Sequence, residues 1–215
     1  MPFVYREDIN TQHRWGIWEI AENEAELLNI CQLDASEHLH LRGIKHPKKR
    51  LEHLAGRAAA KCLIRLQGMD QPVIINNEAG RPQVINHHIE ISISHSNRYA
   101  AAIISNTCKV GIDIQLIEEK LRVVAPRILS QSELNCADSS LEQLSVYWGA
   151  KEALYKLTQK EGIDLSEHLA VKDFEYQGKG NCTGGIILAN HEAEHELFYT
   201  KFNKEYMVVL NLPDN

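Results

Sequence analysis

The sequence predicts an α+β protein that forms either two lobes or one large domain. Each half of the chain contains one long segment with helical periodicity, at 46–63 and at about 140–160, together with several short strand-like runs. At 215 residues and 44% apolar content, the chain is long enough to bury one substantial core or two small ones. With two lobes, the chain divides into an N-terminal lobe at 1–105 and a C-terminal lobe at 106–215, but no sequence repeat decides between this division and one large domain.

In the N-terminal lobe, a strand at 15–20 and a helix at about 23–33 precede the long helix, which Pro47 is well suited to begin. Arg50 and Arg57 lie two turns apart on this helix, so both could contact one anion. Apolar residues recur at steps of three and four and predict one buried stripe, formed by Leu51, Leu54, Ala55, Ala58 and Cys62. Three strands follow the helix, at 73–75, 89–94 and 99–104.

The C-terminal lobe begins with a strand of alternating apolar and polar residues, which places Asp113 and Gln115 on one face. In the second long helix, Glu152 lies between Lys151 and Lys156, and Lys156 is one turn away on the same face as Glu152. An acid flanked by cations, downstream of an acidic strand, suits a metal-bound phosphate.

The rest of the C-terminal lobe is predicted from local signals. A helix at 121–135 should be interrupted near Pro126. Ser139 or Ser140 would cap the second long helix, and Gly162 would end it. Antiparallel strands then follow at 171–176, 185–188, 197–202 and 206–210.

Composition excludes several classes of protein. The formal net charge is −6 and basic residues cluster only at 45–50, which argues against a protein that works on nucleic acid. Five cysteines without a Cys-x-x-Cys pair predict reduced thiols, with neither a disulfide framework nor a zinc knuckle. Residues 1–10 lack an apolar signal core, and no run approaches the ~20 apolar residues that span a bilayer. We expect a cytoplasmic protein that does not bind membranes.

Four motifs occur in a fixed order: the basic helix at 46–63, Ser92–Ser96, Gly111–Ile114, and Trp148-x-x-Lys151-Glu152-Ala153-x-x-Lys156. With them the chain resembles the phosphopantetheinyl transferases over about residues 45–160. The most similar type is the monomeric, double-length one that activates siderophore and surfactin synthetases. The resemblance implies two similar lobes related by a pseudo-twofold axis, each a small antiparallel sheet packed on a long helix, with coenzyme A and Mg²⁺ in a cleft between them. The lobe at 1–105 would hold the nucleotide of coenzyme A, and the lobe at 106–215 would contain the metal site and the catalytic helix.

The resemblance also implies an activity. The family moves the phosphopantetheine arm of coenzyme A to a serine of an apo acyl or peptidyl carrier protein and releases adenosine 3′,5′-bisphosphate. The diphosphate must be cleaved while charge builds on its oxygens, so the site needs a divalent cation and fixed positive groups. The sequence does not indicate which carrier is modified.

The resemblance implies a metal and catalytic set of Asp113, Glu152 and Lys156. Asp113 and Glu152 would hold Mg²⁺, with Mn²⁺ as the alternative ion, and Glu152 would also be the base for the serine hydroxyl. Gln115 stands where the family often has Glu, so it would reach the metal through a water molecule. Lys151 and Lys156 would contact the diphosphate, although Lys156 could instead hold only the Glu152 carboxylate.

A second implied set binds the adenosine end of coenzyme A. Arg50, Arg57, Ser94 and His95 match family positions that contact it, with His95 near the 3′-phosphate. Arg81 falls in a turn where the family places a basic residue near the nucleotide. Each charge-assisted contact of this kind contributes ~1.5–3 kcal/mol.

Each signal also has an ordinary structural interpretation. Asp113 could be a carboxylate that ends an edge strand, and Glu152 with Lys156 could be a solvated ion pair. Trp148 is predicted to pack the helix rather than to stack on a ligand. The pattern His191-Glu192-Ala193-Glu194-His195 fits a zinc protease motif, but we expect a polar hairpin there because its neighbours are strand-like.

A rival function is a catalytically silent module of the same fold that binds coenzyme A or docks a carrier protein. Gln115 favours it, because a neutral amide is a poorer magnesium ligand than a carboxylate. The intact set of Lys151, Glu152 and Lys156 disfavours it.

Overall fold

The computed structural model describes residues 3–137, 140–158, 160, 162–188 and 191–213. The chain divides into two compact units, an N-terminal unit at 1–109 and a C-terminal unit at 110–215. The predicted lobes have their boundary a few residues earlier, between 105 and 106, and the functions assigned to them remain predictions.

The N-terminal unit contains a four-stranded antiparallel sheet in the order β1-β2-β6-β5 and a separate two-stranded hairpin of β3 and β4. Its elements are β1 (Phe3–Asp8), β2 (His13–Glu19), α1 (Glu24–Cys31), α2 (Ala35–Gly43), α3 (Pro47–Arg65), β3 (Ile74–Asn76), β4 (Pro82–Val84), β5 (Glu90–Ser96) and β6 (Tyr99–Ser105).

Helix α3 packs on β2, β5 and β6 through its small residues. The run from Ala55 to Ala60 is buried, and Gly56 is needed because a Cβ there would lie 2.6 Å from Ile93 Cγ2 of β5. Of the predicted stripe, four residues are buried and Leu51 is partly buried against the same core. The amphipathic pattern therefore identified the face of α3 that meets the sheet.

The C-terminal unit contains a five-stranded antiparallel sheet in the order β7-β11-β10-β9-β8. Its elements are β7 (Ile112–Leu116), α4 (Leu121–Val124), a 3₁₀ turn (Ala125–Arg127), α5 (Gln131–Ala137), α6 (Leu141–Thr158), β8 (Leu169–Val171), β9 (Lys179–Leu188), β10 (His191–Phe202) and β11 (Tyr206–Asn211).

Most local predictions for this unit are confirmed, with differences at the ends of elements. The helical stretch is interrupted at Pro126, which lies in the 3₁₀ turn. Ser140 caps α6 by accepting a hydrogen bond from Gln143 N at 3.2 Å, whereas Ser139 lies outside the described residues. The strand predicted at 171–176 is wrong beyond Val171, because the chain from Lys172 onward is irregular until β9 begins.

The two units share a plan. In each, the strand before the long helix pairs with the last strand of the unit, which pairs in turn with the strand before it. This gives the orders β2-β6-β5 and β7-β11-β10, with all pairs antiparallel. The prediction of an α+β fold with antiparallel sheets packed on long helices is confirmed, and the pseudo-twofold relation remains a prediction.

A buried ion pair anchors the long helix of the N-terminal unit. Lys61 of α3 is fully buried, and its Nζ donates to Glu37 Oε2 at 2.7 Å. Glu37 also accepts the N–H of Asp34 at 2.9 Å and the N–H of Ile74 at 3.1 Å. One carboxylate therefore connects the start of α2, the middle of α3 and strand β3.

The C-terminal unit repeats this arrangement. Lys151 of α6 is fully buried, and its Nζ lies 2.8 Å from Glu133 Oε2. Glu133 also accepts the N–H of Ser130 at 2.7 Å and the N–H of Val171 at 2.9 Å. In both units the glutamate lies three residues after a helix-capping residue and accepts a backbone N–H from the first strand after the long helix. The units therefore match in these contacts as well as in strand order.

Among the described residues, none of the helices combines the length and the apolar composition that a bilayer span requires.

Candidate active site

Two glycines bring strand β7 against helix α6. A methyl group at Gly111 would overlap the carbonyl oxygen of Ala153, so the chain entering β7 approaches α6 more closely than a larger residue allows. A Cβ at Gly149 would lie 2.8 Å from Val209 Cγ2 and 3.4 Å from Gln115 Nε2. This close contact sets the distance between the side chains of β7 and those on the last turns of α6.

We expect Gly111→Ala to lower the free energy of unfolding by ~1–3 kcal/mol, because the added methyl meets backbone rather than a flexible side chain. Chemical denaturation followed by circular dichroism measures this change. Gly185→Ala is the matched control in the same unit, since its new methyl would meet only Ala170 O at 3.9 Å. Equal stability of the two variants would contradict the role assigned to Gly111.

Asp113, Glu152 and Lys156 come together where β7 meets α6, and we call them the Asp113 cluster. Lys156 Nζ lies 2.9 Å from Asp113 Oδ1 and donates to Ile112 O at 2.8 Å. Asp113 is only 7% exposed and Glu152 is half-buried. Lys156 does not hold Glu152 alone, because its ion pair is with Asp113.

The two carboxylates interact electrostatically. Burial raises the pKa of the Glu152 carboxyl above its ordinary value, the negative charge of Asp113 raises that pKa further, and Lys156 opposes the rise. Two acids that repel one another in a partly buried place favour a cation between them. The structure therefore brings Asp113, Glu152 and Lys156 to one place, and their catalytic roles remain predictions.

The cluster fits magnesium. This ion commonly uses one or two carboxylates and takes its other ligands from substrate phosphates and water. Over the described part of the chain, no group of three or more His, Cys, Asp or Glu residues is placed to hold a metal. A pair of repelling carboxylates is thus a better match to a hard cation shared with a substrate than to a closed protein cage.

Gln115 has a structural contact at the edge of this cluster. Its Nε2 donates to Ser145 O of α6 at 2.5 Å, which fixes the orientation of the amide and leaves Oε1 as the atom that could bind a water or an ion. The predicted contact of Gln115 with the metal through water remains a prediction.

The prediction that Lys151 contacts the diphosphate is corrected by the structure. Lys151 is fully buried, with its Nζ on Glu133 and on Ile128 O at 2.8 Å. The reason is helical geometry, because five residues at about 100° each place Lys151 roughly 140° around α6 from Lys156. Lys151 supports the core of the C-terminal unit, and Lys156 faces the acids.

The N-terminal unit contains a pocket of about 420 Å³, which we call the Arg57 pocket. Arg57 and His95 both line it. Gly80 and Pro82, on either side of Arg81, line it as well. Ser94 lies next to His95 on β5 and is buried. The remaining lining residues are Ile44, Lys49, Glu52, His53, Asn76 and Ile93.

Two neighbours orient the guanidinium of Arg57. Its Nη1 lies 3.2 Å from His53 Nδ1, and its Nη2 donates to Asn76 Oδ1 at 2.7 Å. Burial lowers the pKa of Arg57 to about 10, so the group stays charged at neutral pH. Burial, with the charge of Arg57, lowers the pKa of His53 to about 3, so His53 is neutral and accepts. The pocket thus contains a fixed, partly desolvated cation.

Arg50 is placed differently from the prediction. Its guanidinium forms an ion pair with both oxygens of Glu24, and Nη1 donates to Leu41 O at 2.7 Å and to Ile44 O at 3.2 Å. These bonds connect the start of α3 to α1 and to the end of α2. Arg50 is not among the residues lining the Arg57 pocket, and its contacts give it a structural role.

Sequence reasoning missed several lining residues and correctly rejected one motif. Asn76 had no signal in the sequence. The only signal for His53 was its position one turn before Arg57 on the same helix. Trp148 packs against the core of the C-terminal unit, as predicted. The segment His191–His195 lies on strand β10, as expected for a hairpin and not for a zinc protease helix.

The C-terminal unit has a paired acidic site with a lysine, and the N-terminal unit has a fixed cation in a pocket. Both are groups that suit a phosphorylated substrate. Residues 109–209 match the family model of the 4′-phosphopantetheinyl transferase superfamily. Residues 43–105 match the model of the 4′-phosphopantetheinyl transferase N-terminal domain. The chain belongs to the 4′-phosphopantetheinyl transferase superfamily, which confirms the resemblance.

No curated protein sequence matches the chain significantly. Membership of the superfamily supports transferase activity, with coenzyme A as substrate, a divalent metal as the general requirement and carrier proteins as acceptors.

Proposed function

We propose that this protein transfers the 4′-phosphopantetheine arm of coenzyme A to a serine of an apo acyl or peptidyl carrier protein, with Mg²⁺ or Mn²⁺, and releases adenosine 3′,5′-bisphosphate. The meeting of Asp113, Glu152 and Lys156 at the contact of β7 with α6 is the observation that carries the proposal. We further propose that it works as a monomer of the type that activates synthetases, since one chain contains both units. We also propose that it works in the cytoplasm.

The Asp113 cluster has the groups that cleavage of a diphosphate requires. Asp113 and Glu152 would hold the divalent ion, which stabilises the charge that develops on the phosphate oxygens. Lys156 places its ammonium nitrogen 2.9 Å from Asp113 Oδ1, close enough to attract the same oxygens. Glu152 has a pKa raised by burial, which brings its carboxylate nearer to the basicity that a serine hydroxyl needs from a general base.

The Arg57 pocket has the groups that a nucleotide phosphate requires. Arg57 is charged, desolvated and held by His53 and Asn76, so an anion entering the pocket meets a donor that needs little reorganisation. His95 lies on the pocket wall with its Nδ1 3.7 Å from Glu52 Oε2. We propose that Arg57, Arg81, Ser94 and His95 contact the adenosine end of coenzyme A.

We expect Arg57→Gln to weaken the binding of adenosine 3′,5′-bisphosphate by roughly 10–100-fold, since one charge-assisted contact is lost. Isothermal titration calorimetry measures this affinity. Arg50→Gln is the control, because Arg50 bonds Glu24 and two carbonyl groups. It should lower the melting temperature and keep the affinity within a few-fold of the original. A folded Arg57→Gln protein that binds the nucleotide with unchanged affinity would remove Arg57 from the site.

The transfer itself is tested by incubating the protein with coenzyme A, Mg²⁺ and apo carrier proteins of the fatty-acid, polyketide and peptide types. Intact mass spectrometry of the carrier should show one added phosphopantetheine arm, and chelation of the metal with EDTA should abolish it. A protein that binds coenzyme A and leaves every carrier unmodified would instead be the silent module that the neutral side chain of Gln115 favours.

A further inference from the structure

The loop after β6 places Cys108 against His13, the first residue of β2. His13 Nε2 lies 3.2 Å from Cys108 Sγ, and His13 Nδ1 lies 2.9 Å from Asn10 Oδ1. The strand register explains the meeting, because His13 pairs with Ser105 at the end of β6 and Cys108 follows three residues later. None of these residues belongs to the Asp113 cluster or lines the Arg57 pocket.

The tautomer of His13 follows from its neighbours. Asn10 Oδ1 accepts the backbone N–H of Gln12 at 2.8 Å and that of His13 at 2.9 Å, so this atom is the oxygen of the amide. His13 Nδ1 must therefore donate to it, which leaves the Nε2 lone pair directed at the sulfur of Cys108. Burial lowers the pKa of His13, so the ring is a neutral acceptor at neutral pH.

Ser105 supplies a second contact to the sulfur. Its Oγ accepts the N–H of Thr107 at 3.1 Å and the N–H of Cys108 at 3.0 Å. With both lone pairs occupied, its hydroxyl proton is left to donate to Cys108 Sγ at 3.6 Å. The sulfur therefore has a base for its proton and a donor that stabilises the thiolate.

We propose that Cys108 is a reactive thiol, activated by His13 and oriented through Asn10, which forms a mixed disulfide with small disulfides such as oxidised glutathione. His13 Nε2 takes the thiol proton, the sulfur attacks one sulfur of the disulfide, and the S–S bond breaks. The departing thiolate takes the proton back from His13 and leaves as a thiol. One protein thiol is thus oxidised while one molecule of small disulfide is reduced to a mixed disulfide and a thiol.

The other cysteines lack this setting. Cys31, Cys62 and Cys182 are buried, and burial raises the pKa of Cys31 and of Cys182 to about 12. Cys136 is partly exposed like Cys108, and its Sγ accepts a hydrogen bond from the amide of Gln143 at 3.8 Å. Cys136 is therefore the internal comparison for the reactivity of Cys108.

The test is site-resolved alkylation of the folded full-length protein with iodoacetamide, followed by mass spectrometry of peptides. Cys108 should react at least about tenfold faster than Cys136. Oxidised glutathione should then add one glutathione, on Cys108, and Cys108→Ser should prevent it. Equal or slower alkylation of Cys108 than of Cys136 would overturn the proposal.

Two variants separate activation from exposure. Asn10→Ala, at an exposed turn, and His13→Gln should each slow alkylation of Cys108 by roughly fivefold or more without changing that of Cys136. Thr107→Val is the matched control, because its hydroxyl lies 3.4 Å from His13 Nε2 and competes with the thiol for that nitrogen. It should leave the rate unchanged or raise it. Unaltered reactivity of Cys108 in folded Asn10→Ala would also contradict the proposal, even if His13→Gln failed to fold.

Discussion

Replacement of Glu152 by Gln is expected to lower the turnover of phosphopantetheine transfer by about 10²–10⁴-fold, and by more if the metal is lost as well. The side chain keeps its shape but loses both the charge that would hold the metal and the basicity that would accept the serine proton. The fold should not suffer. Burial and the charge of Asp113 both oppose ionisation of Glu152, so a neutral amide removes repulsion from the site.

The control for this variant is Glu142→Gln. Glu142 lies on the same helix, where it pairs with Lys201 at 3.0 Å and is 37% exposed, away from the Asp113 cluster. We expect it to retain transfer rates within a few-fold of the original protein. The measurement is the rate of holo-carrier formation at saturating coenzyme A and Mg²⁺. Near-original turnover of Glu152→Gln would remove Glu152 from the mechanism.

The largest effect on stability is expected from Lys151→Met. Removing the ammonium leaves the Glu133 carboxylate buried and unpaired, which costs ~3–5 kcal/mol. This is a large share of the stability of an ordinary domain, ~5–15 kcal/mol. Denaturation in urea, followed by circular dichroism, should show the midpoint moving sharply downward.

Two further variants show that the effect arises from the pair. The double variant Lys151→Met/Glu133→Gln should recover part of the lost stability, because no unpaired buried charge remains. Lys201→Met, which breaks the surface pair with Glu142, should cost no more than ~1 kcal/mol. If Lys151→Met folded with unchanged stability and lost only transfer activity, Lys151 would belong at the diphosphate after all.

Much of the fold could be predicted from local patterns, because burial leaves a periodic trace in the sequence. The stripe from Leu54 to Cys62 predicted the face of α3 that meets its sheet. Pro126 predicted the interruption between α4 and α5. The strand predicted at 171–176 was wrong beyond Val171. Phe174 and Tyr176 pack against the core from irregular chain rather than from a strand.

The candidate site was only partly predictable, because a motif identifies residue types and not their partners. Asp113, Glu152 and Lys156 meet because Gly111 and Gly149 let two distant segments touch. The partner of Lys151 is Glu133, and neither their spacing nor their surroundings in the sequence distinguish this buried pair from a surface one. The helical spacing of Arg50 and Arg57 predicted that both could contact one anion. It could not predict where each long side chain ends, which is at Glu24 for Arg50 and at Asn76 for Arg57.

Lys61 and Lys151 hold their helices in the same way, yet the candidate sites of the two units contain different groups. One unit presents a guanidinium in a pocket, and the other presents acids beside an ammonium. The same buried ion pair is therefore compatible with two different sets of site groups. Protein design could therefore change the groups around Arg57 or Asp113 while each lysine stays paired with its glutamate and each long helix keeps its position.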